Sequence, residues 1–275
     1  MVYTIENEVF SLSACDVGAE LWELQWKKDP RIHILWDGKE DIWPRRAPVC
    51  FPWCARFEGD WFEVEPGGTR FKGGVHGFVR DMPHDFAGKQ DDVMSFRLDW
   101  AKDDKTWPWD FRFATSHKLE GNTVVTSCTA TNLDSTPMPV QMGFHSGIRC
   151  PFVEGSAPSD YVLRFEQEES AIKGSVLRVE ELSFDSGPVR FAQLRSAWVQ
   201  LEHTASSQAI RMEIAGYPYL LLWSQPGMPG YICIEPMSGT MNPANQVNNL
   251  WERPGVQPLE PGQSKTWQQK ITVIG

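Results

Sequence analysis

Several things are missing from this sequence. No stretch is rich in Lys or Arg: 26 basic residues stand against 36 acidic ones, for a net charge of −10. Nucleic acids and phosphate-rich surfaces are held through clustered cations, so neither is an expected partner. The acidic surplus favours solubility and points to no particular ligand. No Cys-x-x-Cys pair occurs among the cysteines at 15, 50, 54, 128, 150 and 233, and Cys50–Cys54 has no His at finger spacing. Buried free thiols are expected in place of a metal site or disulfides. The apolar run at Tyr217–Trp223 is too short to cross a bilayer. The opening MVYTIENEVF has neither the basic start nor the apolar stretch of a secretory leader. A cytoplasmic protein without membrane contact is the expectation.

Helical periodicity is scarce as well. No amphipathic segment of helical period runs beyond about a dozen residues. Breakers at Pro44, Pro48, Pro52, Gly59 and Pro66-Gly67-Gly68 exclude helices from the early part of the chain. What is present is alternation. Met94, Phe96, Leu98 and Trp100 alternate with Val93, Ser95, Arg97 and Asp99. Phe111, Phe113, Thr115 and His117 repeat the pattern, and the Val- and Thr-rich Thr123–Thr131 follows the turn Glu120-Gly121-Asn122. This is antiparallel sheet with one buried face per strand.

Further strands are predicted at Ile32–Trp36, Val140–Phe144, Tyr161–Phe165, Ala197–His203, Gln208–Ile214, Tyr219–Trp223, Tyr231–Ile234 and Thr266–Ile274, with a hairpin turn at Thr204–Ser207. No repeat, linker or low-complexity tract divides the chain. The loops at 150–160, 224–230 and 240–262 mix Pro and Gly with apolar residues and read as ordered. The expectation is an all-β fold, a large antiparallel sandwich with few or no helices, in one domain over residues 1–275. Most of the thirteen Trp should fill its core, with two or three left to line a cleft.

Ionisable groups stand out where Gly and apolar residues enclose them. The stretch Phe51–Asp81 carries Arg56, His76 and Arg80 among glycines and aromatics, as loops fixed on a rigid base. His145 follows the strand Val140–Phe144 in VQMGFHSGIRCPF, and Glu235 closes the run YICI in GYICIEPMSG. A carboxyl in such a setting is costly to bury without a partner, and an apolar cleft raises its proton affinity toward that of a general base. An imidazole nearby could serve as the acid, its ordinary titration lying near neutrality. Each residue also has a plain structural alternative: a satisfied core histidine, a strand-end carboxylate capping an amide, an ion-paired arginine. His33, His84, His117 and His203 sit in ordinary strand or loop contexts and read as structural.

At these residues the sequence resembles the aldose 1-epimerase (galactose mutarotase-like) family. GAEL at 18–21, WPRRAPVCFPWCAR at 43–56, VHGFVRD at 75–81, FHSGIRCPF at 144–152, CIEPMSG at 233–239 and LEPGQS at 259–264 follow the family's segments in order over nearly the whole chain. The resemblance implies a β-supersandwich with an open sugar cleft, and interconversion of the α and β anomers of a hexose. It implies Glu235 as the general base on the C1 hydroxyl and His145 as the general acid on the ring oxygen, the two flanking one hemiacetal. His76, Arg56 and Arg80 would bind the sugar. Asp185 is nearest to the aspartate that grips sugar hydroxyls in many relatives. The implied partner is a small-molecule sugar, with no metal or other cofactor, on a monomer or homodimer.

The departures are Ala55 where relatives have Gly, Ser146 where they have Pro, and Met237 where they have Trp. They leave the acid and base in place and bear on which sugar is bound. Two other readings accompany the first. A hexose 6-phosphate epimerase would use Arg46, Arg80 and Arg149 on the phosphate. A non-catalytic sugar-binding member of the same fold would bind without turnover. A glycosidase would need two carboxylates about 5–9 Å apart, and only one stands in a marked context.

Overall fold

The computed structural model describes residues 1–227, 230–240 and 248–275. The loops at 224–230 and 240–262 therefore lie partly outside the described residues. Among those described there is no α-helix, only three-residue 3-10 turns, and no helix long and apolar enough to cross a membrane.

Alternation becomes sheet as expected. Along Phe111–Glu120 buried and more exposed positions alternate without a break, and Val93–Trp100 keeps the same rhythm. These strands belong to a nine-stranded antiparallel sheet ordered Gly174–Arg178, Tyr161–Glu169, Trp198–His203, Ala209–Glu213, Ser264–Ile274, Thr123–Asn132, Phe111–Glu120, Val93–Trp100 and Asp85–Gln90. A smaller sheet runs Val189–Ala192, Tyr219–Trp223, Tyr231–Met237, Gly143–Phe144 and Val49–Cys50, with Ser146–Arg149 also paired to Tyr231–Met237. A three-stranded sheet, Val2–Glu6, Phe10–Cys15 and Leu21–Trp26, adds to the core. The segment Ile32–Trp36, predicted as a strand, makes only isolated bridges at His33 and Leu35.

The two main sheets share one apolar core. Leu220, Leu222, Ile232 and Ile234 from the small sheet meet Leu163, Leu201, Ile210 and Ile271 from the large one. Successive side chains of a strand point to opposite faces. The intervening residues Leu221, Trp223, Cys233 and Glu235 therefore face the other way. There Leu221 packs with Cys50, Cys54 and Met237, and Cys233 packs with Trp36, Tyr231, Trp43 and Trp223. All seven residues of Tyr231–Met237 are buried, so the strand is covered on both sides. Glu235 sits inside this strand; the sequence had suggested a strand ending at Ile234.

The Phe51–Asp81 stretch crosses the edge of this second layer. Gly77 has φ 71°, and a Cβ there would lie 1.9 Å from the Phe51 carbonyl oxygen, which accepts from Phe78 and Val79. Only glycine fits that approach. Ala55 has φ 61°, in the left-handed region that disfavours side chains. We expect Ala55→Gly to raise the unfolding free energy by about 0.5–1 kcal/mol, strain relief being offset in part by unfolded-chain entropy. Urea denaturation measures it; a less stable variant would mean the alanine is not strained.

Candidate active site

Register places the two central residues. Gly143 pairs with Met237 and Ser146 with Ile234 in antiparallel array, so His145 lies directly opposite Glu235. Directly opposed residues of such a pair project from the same face. Neither neighbour on that face of the histidine strand carries a side chain. A Cβ on Gly143 would press on the Met237 side chain at 2.8 Å, and one on Gly147 on the Trp43 ring at 2.7 Å. On its other side the His145 amide donates to the Pro48 carbonyl at 3.0 Å.

His145 Nε2 and Glu235 Oε1 are 3.2 Å apart, at 6% and 1% residue exposure. Neither His145 Nδ1 nor Glu235 Oε1 makes a well-formed hydrogen bond. Unpaired polar atoms are expensive inside a protein, which sets this pair apart from the apolar residues around it. Burial raises the Glu235 carboxyl well above the ordinary carboxylate range, with the Arg80 charge pulling the other way. Burial, and then the Arg80 charge, push His145 down to about 3. Burial thus favours the neutral form of each residue, the protonated carboxyl and the uncharged imidazole. An imidazole titrating near neutrality, as the sequence suggested, is not what this environment gives.

His76 joins them edge-on, its ring centroid 5.2 Å from that of His145. It has φ 65°, strained for a side-chain-bearing residue. The strain is held by the Ala55 amide, which donates to His76 Nδ1 at 3.0 Å, and by the His76 amide, which donates to the Ala55 carbonyl. With Nδ1 accepting, the ring proton is assigned to Nε2. Burial, then the charges of His145, Arg80, Arg253 and Arg56, hold this imidazole neutral. Arg80 sits on the 3-10 turn Val79–Asp81 and is mostly buried. One guanidinium nitrogen donates to the Val75 carbonyl at 2.8 Å, while Nε makes no hydrogen bond and lies 4.0 Å from the Asp81 carboxylate.

The remaining expected residues stand apart. Arg56 is exposed and ion-paired with Asp60 at 3.1 Å, though its charge still reaches His76. Asp185 is exposed, and its carboxylate accepts from Ser183 Oγ at 2.9 Å. Among the described residues it makes no hydrogen bond or ion pair with the cluster.

Other residues entered the site without being foreseen. Trp43 and Trp223 pack on His145 at 5.2 and 5.7 Å between ring centroids. Arg253, 5% exposed, donates to the carbonyls of Cys54 and Arg56 and lies over the Phe57 ring. Gln141 accepts from the Cys54 amide and donates to the Pro254 carbonyl. Glu20, buried in the GAEL segment, accepts from the amides of Arg46 and Ala47 and so fixes the chain leading to Trp43 and Pro48. The one hint was a polar residue set among apolar ones, as in VQMGF and GAEL.

The pair is in direct contact, so no sugar ring fits between its members, as flanking would require. Two oxygens bonded to one carbon could instead approach the pair from the side, one to each residue. The arrangement suits exchange of protons at a single hemiacetal carbon.

A sequence profile for the family Aldose 1-epimerase matches residues 1–272. Protein LacX, chromosomal, of Lactococcus lactis subsp. lactis is 24% identical over the full length of both chains. A solved galactose mutarotase related enzyme from Lactobacillus acidophilus superposes with TM-score 0.86 at 22% identity, over 99% of this chain and 97% of that one. A galactose mutarotase-like protein from Lactobacillus casei gives TM-score 0.85 at 25% identity, over 99% and 100%.

The raised carboxyl has a consequence for stability. The folded chain keeps a proton on Glu235 that the unfolded chain releases near its ordinary value of 4.5. Stability therefore falls as pH rises from 4.5 toward the folded-state value, by at most about 1.4 kcal/mol per pH unit. Glu235→Gln removes that loss. The variant should gain stability over wild type as pH rises above about 4.5, the gain vanishing toward that pH. Denaturation across that pH range measures it. A gain that does not grow with pH would contradict a protonated, buried carboxyl.

Proposed function

The chain belongs to the aldose 1-epimerase family, and from that premise we propose that it interconverts the α and β anomers of a free hexose. The observation that carries the reading is the buried, cross-strand His145–Glu235 contact at 3.2 Å.

The proton bookkeeping is symmetrical. To open the ring, Glu235 as carboxylate takes the proton of the C1 hydroxyl, and His145 as imidazolium gives one to the ring oxygen. Both residues are then neutral, the form their burial favours. Rotation about C1–C2 turns the aldehyde's other face toward the C5 hydroxyl. Closure returns a proton from Glu235 to the carbonyl oxygen, while His145 removes the one from the C5 hydroxyl. Each group acts as acid in one direction and base in the other, as reversibility demands. Between turnovers, contact between Nε2 and Oε1 lets a proton pass from carboxyl to imidazole, and Arg80 favours the carboxylate that this leaves. His76 Nε2–H is suited to donate to a sugar oxygen beside the pair. Arg80 and Arg56 would supply charge and further donors.

The free-sugar reading is preferred to the phosphorylated one because two of the three candidate arginines are occupied. The Arg46 guanidinium lies over Trp22 at 3.9 Å and donates to its carbonyl, and Arg149 pairs with Asp37 at 3.0 Å.

Polarimetry or exchange NMR on freshly dissolved α-glucose and α-galactose tests the proposal. Glu235→Gln should lower anomer exchange by about 10²–10⁴-fold with the fold intact, and His145→Asn should do so by a similar factor. Full activity in Glu235→Gln would remove that residue from the reaction. Sugar binding by calorimetry without exchange in wild type, over a panel of free and phosphorylated aldoses, would leave a binding protein.

A further inference from the structure

Cys233 takes no part in the proton exchange described above, yet it stands beside it. It lies two residues from Glu235 on the same strand and so projects from the same face. Opposite it, register places Gly147, which offers no side chain. The Cys233 thiol is fully buried. A ligand atom from each of His145, Cys233 and Glu235 lies within 4.8 Å of the other two. Imidazole nitrogen, thiolate sulfur and carboxylate oxygen are the donors that a thiophilic divalent cation takes. In a tetrahedral zinc site with bonds of about 2.0–2.3 Å, ligand atoms stand roughly 3.3–3.8 Å apart. The His145–Glu235 edge, at 3.2 Å, is already near that span. Side-chain adjustment of about 1 Å would bring in the thiol.

The second observation is the lack of partners. The Glu235 Oε1 that forms this edge is buried without a hydrogen bond. We propose that His145, Cys233 and Glu235 form a three-ligand site for a thiophilic divalent cation of the zinc class, whose binding excludes the sugar. Coordination takes the thiol and the carboxyl as their anions, so binding a divalent cation there releases protons. A sheet holds all three ligands, and a fourth position stays open to water. Binding rests on these residues alone; the inhibition it would cause rests on the epimerase reading.

Cobalt(II) is the probe, added to the full chain, because a thiolate ligand gives it an intense near-ultraviolet charge-transfer band and four-coordination gives it strong visible bands. Wild type should bind one ion per chain with both signatures. Cys233→Ser should lose the thiolate band, while Cys54→Ser keeps it. In the exchange assay, Zn²⁺ should inhibit wild type in competition with sugar. Measured against its own uninhibited rate, Cys233→Ser should need about ten-fold more Zn²⁺, or beyond, for the same inhibition. Absence of a thiolate band in wild type, or its survival in Cys233→Ser, overturns the site. A protein that shows the cobalt signature without anomer exchange would keep the metal site and sink the epimerase reading. Exchange that Zn²⁺ leaves untouched despite the signature would overturn the competition.

Discussion

Everything at the site depends on the alignment of the Gly143–Arg149 region against Tyr231–Met237. That alignment sets His145 across from Glu235 and Gly147 across from Cys233. A slip of one residue would turn each side chain to the other face of the sheet. Ile232 and Ile234 guard against it, since they are held in the core between the two main sheets. The His145–Glu235 contact is therefore fixed by apolar packing on the far side of the same strand. Glycines at 143 and 147 keep the near side open, and Trp43 and Trp223 wall it.

Burial then sets the chemistry. Both members of the pair are buried, so charge separation between them is disfavoured. Among the described residues the Arg80 charge acts in favour of the carboxylate, and its own side chain is largely buried. Such a pair is a poor choice for stability at neutral pH. A buried carboxyl whose proton affinity is raised, a histidine at positive φ and an alanine in the left-handed region all raise the energy of the folded state. Positive φ also occurs at Ala19, Asp60, Asp91, Lys173 and Gln193, but Ala55 and His76 are hydrogen-bonded to each other and His76 packs on His145.

Much of this was legible in the chain. Alternating strands from Val93 to Thr131 announced the large sheet because their burial is one-sided and their turns local. The stretches around His76, His145 and Glu235 stood out because ionisable residues were set among glycines and apolar side chains. What could not be read was anything that depends on distant pairing. The register between residues 143–149 and 231–237 is non-local, so direct contact between His145 and Glu235 was not foreseen. The low proton affinity of His145 follows from burial and from Arg80, which lies far away in sequence. Arg253 sits in an unremarkable loop, and only the fold makes it a bridge to the Cys54 and Arg56 carbonyls. Asp185 was chosen by its position along the chain, and position alone does not bring its carboxylate to the cluster.

The central claim is that one anomeric carbon engages the opposed imidazole and carboxyl together. A crystal structure of the chain soaked with a hexose it converts tests this most directly. The claim predicts O1 of the sugar within about 2.6–3.2 Å of the Glu235 carboxyl and the ring oxygen equally close to His145 Nε2. A sugar bound with its anomeric centre turned away from both residues, or seated elsewhere on the molecule, would contradict it.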